Sequence, residues 1–120
     1  MEELNIENSK IQMRRGVLEF CILQIISREE AYASDILMEL KHANLIVVEG
    51  TLYPLLSRLK SAGLLKYTWQ ESEAGPPRKY YQLTEKGEEA LSQLRTTWQD
   101  LNSSINSLLT PRTTTNEKNY

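Results

Sequence analysis

Chemically reactive side chains are scarce in this 120-residue chain, which has a single cysteine and a single histidine. A lone cysteine excludes an internal disulfide, and Cys21 lies in an apolar stretch, where a thiol packs as a small hydrophobe. His42 has no second histidine and no cysteine nearby in sequence, so a metal-ligand cluster is absent and no cofactor is expected. No glycine-rich phosphate loop occurs. Adjacent carboxylates such as Glu88 and Glu89 sit where a helix surface is solvated. An enzyme is therefore not expected. Long apolar runs are missing too, with none near the roughly 20 residues of a membrane span. The start, Met1-Glu-Glu-Leu-Asn5, has neither a cationic opening nor an apolar signal core, so the expected location is cytoplasmic.

Net charge is small, −2, yet it is unevenly spread. Between Gly50 and Leu83 the cations are Arg58, Lys60, Lys66, Arg78 and Lys79, against Glu71 and Glu73, a net +3. The remainder carries −5. A local cationic patch of this kind is what a phosphate-facing surface requires.

Residues 1–8 are polar and read as a flexible N-terminus. A first helix is predicted from about Ser9 to Ser27, with a core stripe of Leu18, Cys21, Ile22, Ile25 and Ile26. Met13, Val17 and Phe20 form a second stripe on another face, suited to a partner or to deep burial. Ser34 is a candidate N-cap for a second helix through His42, buried through Ile36, Leu37 and Leu40. Leu45–Val48 reads as a brief strand or packed linker. A third helix from Glu49 turns Leu52, Leu55, Leu56 and Leu59 inward. Thr51, Tyr53, Pro54, Ser57, Arg58 and Lys60 remain on its outer side, and Gly63 suits a helix-terminating glycine.

Leu64–Glu71 and Arg78–Leu83 are rich in β-formers and flank the turn-forming Ser72–Pro77, a hairpin with Arg78 and Lys79 expected at its tip. Thr84 then caps a last helix to about Leu109. On it Leu91, Leu94, Trp98, Leu101, Ile105 and Leu108 recur at heptad spacing, a seam expected to pair with its own copy. Residues 110–120 read as a disordered tail. The fold class is thus mainly α with a small β-hairpin: a three-helix core plus wing over 9–83, and a dimerisation helix over 84–109. A helix followed at once by a cationic hairpin is the layout of a winged helix-turn-helix, a DNA-binding module.

Three blocks resemble the PadR family of bacterial winged-helix transcriptional regulators. They are Arg15–Glu19 in the first helix, Gly50–Pro54 with Arg58-Leu59 and Gly63–Leu65 in the third, and Gly75–Gly87 in the wing. The likeness spans about Met13 to Leu109 and is to the short subfamily, in which one C-terminal helix makes the dimer. One departure stands out. Many such relatives open the second helix with Gly-Tyr, where this chain has Ala33-Ser34. The phosphate contact of that tyrosine is lost here or passes to Ser34 or Tyr32.

These readings assign DNA contacts to Ser34, Thr51, Tyr53, Pro54, Ser57, Arg58, Lys60, Arg78 and Lys79. Arg58 is the candidate base reader, since a guanidinium bonds two guanine acceptors. Lys60 reaches phosphate, as does Tyr53 through its hydroxyl, which the resemblance also implies. Arg78 and Lys79 would meet the backbone or the minor groove. The expected partner is double-stranded DNA bearing an inverted repeat, read by a homodimer that sets its two reading helices about 34 Å apart. The dimer surface would comprise Met13, Val17, Phe20, Leu91, Leu94, Trp98, Leu101, Ile105 and Leu108. Trp98 stands where leucine would pack more simply, and two-fold related indoles can sandwich a flat molecule. Met13, Val17, Phe20 and Asn102, with Asp100, could complete an effector site. The resemblance implies a planar aromatic ligand that lowers operator affinity, and repression of efflux or detoxification genes. The competing reading is a winged-helix protein–protein interaction module without DNA binding, which need not keep Arg58, Lys60, Arg78 and Lys79.

Overall fold

A computed structural model describes residues 5–112. In chain order it runs α1 (Ile6–Arg28), α2 (Ala33–His42), α3 (Glu49–Ser61), β1 (Leu65–Ser72), β2 (Gly75–Leu83) and α4 (Glu85–Leu109). The first helix starts three residues ahead of the expected Ser9, because Asn5 caps it: Asn5 Oδ1 accepts from the Asn8 amide at 3.0 Å. Residues 1–4, and the tail from 113 onward, lie outside the described residues.

The core is one cluster to which every helix and the hairpin contribute. Leu18, Ile22, Leu23 and Ile26 come from α1, Ile36 and Leu40 from α2, and Leu52, Leu56 and Leu59 from α3. Leu65 and Tyr81 close it from the hairpin and Leu91 from α4. Leu23 is fully buried although it lay off the predicted stripe. The reason is that α1 touches α2, β2 and α4, so its buried arc is wider than one stripe. Among the described residues no polar or charged side chain is buried.

The cap of α2 differs from expectation. Tyr32 is the N-cap, and Asp35 Oδ2 accepts the Tyr32 amide at 3.0 Å. Asp35, one turn in, thus meets the exposed helix start, and Ser34 is left exposed and free. Asn44, at φ 63, ends α2 in the left-handed region that asparagine tolerates. Leu45–Val48 forms no strand; Leu45 and Val47 pack on the core while Ile46 and Val48 face outward, as a packed linker does.

The strands pair antiparallel, with Leu65 opposite Leu83, Tyr67 opposite Tyr81 and Trp69 opposite Lys79. Ala31 extends the hairpin by exchanging both backbone bonds with Tyr81, at 3.1 and 2.8 Å. The turn is confined to Glu73-Ala74, between the paired Ser72 and Gly75. Pro76 and Pro77 therefore lie in β2, beside the register shift that relieves them of ladder bonds. Arg78 and Lys79 consequently sit partway down the arm, not at its tip.

A tight knot joins α3 to α4. Gly63, at φ 81, ends α3 in the conformation glycine allows. Its carbonyl accepts from Thr84 Oγ1 at 2.5 Å, and the same hydroxyl accepts the Gly87 amide at 3.0 Å. Thr84 donates its own amide to the Leu64 carbonyl at 3.0 Å, and Lys86 Nζ donates to Ala62 O at 3.1 Å. Leu91 follows, 1% exposed. The opening turns of α4 therefore belong to the same core as the wing, and only the helix beyond Leu91 projects. Leu91 packs within its own chain, which corrects its placement in the dimer seam.

Candidate nucleic-acid interface

Burying Leu52, Leu56 and Leu59 fixes the rotation of α3 and divides its exposed side into three strips. Pro54 and Ser57 point away from the core. Tyr53 and Lys60, seven residues apart, share the flank beside the wing. Thr51 and Arg58, also seven apart, share the opposite flank, and there Arg58 is ion-paired with Glu19 of α1. The sequence reading did not foresee that pair, whose partners lie 39 residues apart.

The wing presents two different faces. Leu65, Tyr67, Trp69, Lys79 and Tyr81 lie on the side turned to α3, since strand neighbours alternate. Lys60 Nζ reaches over the Tyr67 ring at 5.4 Å from its centre, and Lys79 Nζ lies at 4.6 Å from that centre. Two ammonium groups from different elements thus converge on one aromatic ring, which attracts cations through its quadrupole. Neither lysine takes part in an ion pair with the described carboxylates.

Arg78 lies on the other face. Its guanidinium sits 5.0 Å from the ring centre of Tyr32, which stacks on Tyr80 at 4.1 Å. The wing's adjacent cations thus serve two directions, Lys79 toward α3 and Arg78 toward the start of α2. Between them is a cleft of about 430 Å³ lined by Tyr32, Ser34, Tyr53, Trp69, Arg78 and Lys79 among others. Four of the sequence-predicted DNA contacts, Ser34, Tyr53, Arg78 and Lys79, are therefore gathered in one place. Trp69 was missed, because in sequence it reads only as a strand former.

Two adjacent wing tyrosines, one on each face, are harder to ionise than a free phenol. Burial, followed by the nearby Tyr53 and Tyr67 rings, pushes Tyr81 above the usual phenol range. Desolvation and then Tyr32, Glu30, Asp35 and Glu29 do the same for Tyr80. Cys21 is also pushed up by burial, the reverse of what an activated thiol needs. No cluster of metal-ligating side chains occurs among the described residues.

The effector candidates are scattered in the single chain. Met13 is exposed and Val17 half-buried, whereas Phe20 packs against the core and lines a groove with Cys21, Ile25 and Leu45 on the α2 side. Trp98 is 43% exposed on α4, and Asn102 accepts from Asn106 Nδ2 at 3.3 Å. No described helix is long and apolar enough to cross a membrane.

A helical core, a reading helix and a cation-bearing two-stranded arm define a winged helix-turn-helix protein. The sequence model of the transcriptional regulator PadR-like family matches residues 22–93. The chain belongs to this family and is a PadR-like transcriptional regulator, of a class that works by binding DNA. Solved relatives agree. A PadR-like transcription factor from Bacteroides fragilis is 58% identical, covering 84% of this chain and 98% of its own, with a TM-score of 0.72. A PadR-like transcriptional regulator from Bacillus cereus is 42% identical over 84% of this chain and 99% of its own, with a TM-score of 0.76. A PadR family transcriptional regulator from Eggerthella lenta is 32% identical over 89% and 94%, with a TM-score of 0.79.

Proposed function

We infer that this regulator is a homodimeric, cytoplasmic repressor that reads an inverted-repeat operator with α3 and the wing. The observation that carries the DNA assignment is the convergence of Lys60 of α3 and Lys79 of the wing, both without a carboxylate partner among the described ion pairs, on the Tyr67 ring. A protein-docking module has no need of such a pair. Thr51, Pro54 and Ser57 complete the groove-facing side of α3, with Tyr53, Ser34 and Arg78 set against phosphates.

Arg58 is the base reader in this proposal, and its pairing with Glu19 does not forbid the role. An exposed ion pair is worth about 0–1 kcal/mol. A bidentate guanine contact is worth about 1–3 kcal/mol. Exchanging one for the other is favourable.

Dimerisation is supported by the free length of α4. Leu94, Trp98, Leu101, Ile105 and Leu108 run from 36% to 85% exposed along one stripe. A seam of this period buries itself most simply against a copy. Trp98, in the middle of the stripe, would meet its symmetry mate, and a planar aromatic effector would seat between the indoles near Met13, Val17 and Asn102.

The test is a selection of genomic fragments by the purified protein at moderate salt, with Arg58→Ala in parallel. Recovery of an inverted repeat, lost in the variant, is the expected result. Sequence-blind recovery by both proteins would refute the reading. Tryptophan fluorescence against a panel of planar dyes tests the effector site, and quenching no greater than that of Trp98→Ala would remove it.

A further inference from the structure

Trp69 is 61% exposed and is, among the described residues, the large apolar side chain that the wing leaves in solvent. Nothing in the hairpin demands it. At a strand position opposite Lys79, valine or threonine would satisfy β-propensity without exposing an indole. The ring is nonetheless held in place. Its neighbour Tyr67 meets it edge-on, with centres 6.0 Å apart and planes at 88°. Lys79 Nζ lies 5.5 Å from its centre.

The direction it faces is fixed by the strand. Trp69 shares a face with Tyr67, over which Lys60 of α3 extends, and it lines the same cleft as Tyr53. An uncharged plane thus stands beside Lys79 and next to the ring that Lys60 overlies, in the gap between the reading helix and the arm. A phosphodiester strand alternates charged phosphates with largely apolar deoxyribose faces, and thymine adds a methyl group at its base edge. The lysines complement the phosphates, and the indole complements what lies between them.

We propose that Trp69 is itself a DNA contact, an apolar platform against the deoxyribose and base edges of the strand that passes between α3 and the wing. This rests on the reading that α3 enters the major groove. The platform carries no charge, so it responds to groove shape and strand path and adds nothing to counterion release.

The chain has two tryptophans, Trp69 and Trp98. The full-length protein labelled with 5-fluorotryptophan therefore gives two fluorine resonances, with Trp69 assigned through Trp69→Phe. Titration with a duplex bearing the selected inverted repeat should shift the Trp69 resonance. Trp69→Ala should weaken binding about tenfold and Trp69→Phe about two- to threefold, because a phenyl ring keeps part of the apolar contact area. The salt slope should stay at the parental value in both, whereas Lys79→Ala should lower it by about one. Ellipticity and melting of Trp69→Phe establish that the hairpin is intact. If the parent binds while its Trp69 resonance stays still and both variants keep parental affinity, the platform is refuted and the α3 reading survives. Weaker binding by Trp69→Ala with an unmoved resonance would mean a loss through the hairpin, which also refutes the contact. A parent that binds no duplex overturns both.

Discussion

Replacing Gly87 by alanine would place a methyl group against the backbone that joins α3 to β1. A Cβ at this position would stand 2.1 Å from the Leu64 carbonyl oxygen and 3.0 Å from its carbon. Ordinary carbon–oxygen contacts begin at about 3.3 Å, so one side must move by roughly 1 Å. Neither side moves freely. The Leu64 carbonyl accepts the Thr84 amide, and Leu65 next to it is buried. Overpacking costs about 1–3 kcal/mol and sometimes more, and a disrupted hydrogen bond adds about 1 kcal/mol. Alanine returns about 1 kcal/mol through helix propensity. The balance is a loss of about 1–3 kcal/mol, a large share of the roughly 5–15 kcal/mol that holds a domain together. At about 4 °C per kcal/mol for this size, the melting temperature should fall by about 4–12 °C. Gly16→Ala provides the opposite sign. Gly16 lies inside α1 with no atom within 4 Å of its Cβ position, so alanine there should stabilise by about 0.5–1 kcal/mol. Urea and thermal melts followed by circular dichroism, at one fixed protein concentration, measure both. A Gly87→Ala protein melting at or above the parent would refute the α3–α4 knot.

Three further outcomes are expected. Lys60→Ala should weaken binding to all duplexes alike and lower the salt slope by about one, and an unchanged slope in filter binding would remove Lys60 from the phosphate contacts. Glu19→Gln should raise operator affinity by about two- to fivefold, as expected for release of an exposed pair. That gain should vanish in the Arg58→Ala background, so its persistence there would show that Glu19 acts only as a general negative charge. Ile105→Glu, within the exposed stripe, should shift sedimentation toward monomer without lowering helical ellipticity by more than a tenth or so, as a charge in an apolar seam disfavours pairing rather than the helix itself.

Signals carried within a few residues were legible in the sequence. Gly63 at the end of α3, Thr84 at the start of α4 and the inward leucines of α3 all stand where spacing placed them. Two adjacent polar residues at the start of α2 defeated the local rule. Ser34 and Asp35 both suit a cap, and only the path of Tyr32 decides which one faces the free amide. Periodicity likewise marks an apolar face without saying what covers it. Leu91 and Leu94 share one heptad pattern, yet the first is buried under its own chain and the second is not. The Glu19–Arg58 pair and the cleft around Trp69 join residues far apart in sequence, and no short-range pattern contains them.

The knot at Thr84 and Gly87 also bears on how an effector would be felt at DNA. Thr84 and Lys86 bond to Ala62, Gly63 and Leu64, the link between α3 and β1, while Gly87 donates to the Thr84 hydroxyl and Leu91 anchors the next turn of α4 in the core. The projecting seam from Leu94 onward is the continuation of one helix, with no proline or glycine after Gly87 to bend it. In the proposed dimer, a change in the angle between paired seams is therefore carried as a rigid-body rotation of each reading helix. Such a rotation moves a reading helix along the groove in proportion to its distance from the seam, away from the half-site spacing of about 34 Å. In that proposed dimer, separation of the indoles at Trp98 by a flat ligand would misalign the second half-site without unfolding anything. An operator series with the half-sites moved apart by one base pair should then retain more affinity in the presence of a bound dye than the natural spacing does. Equal loss across the series would mean that the effector acts locally on the wing instead.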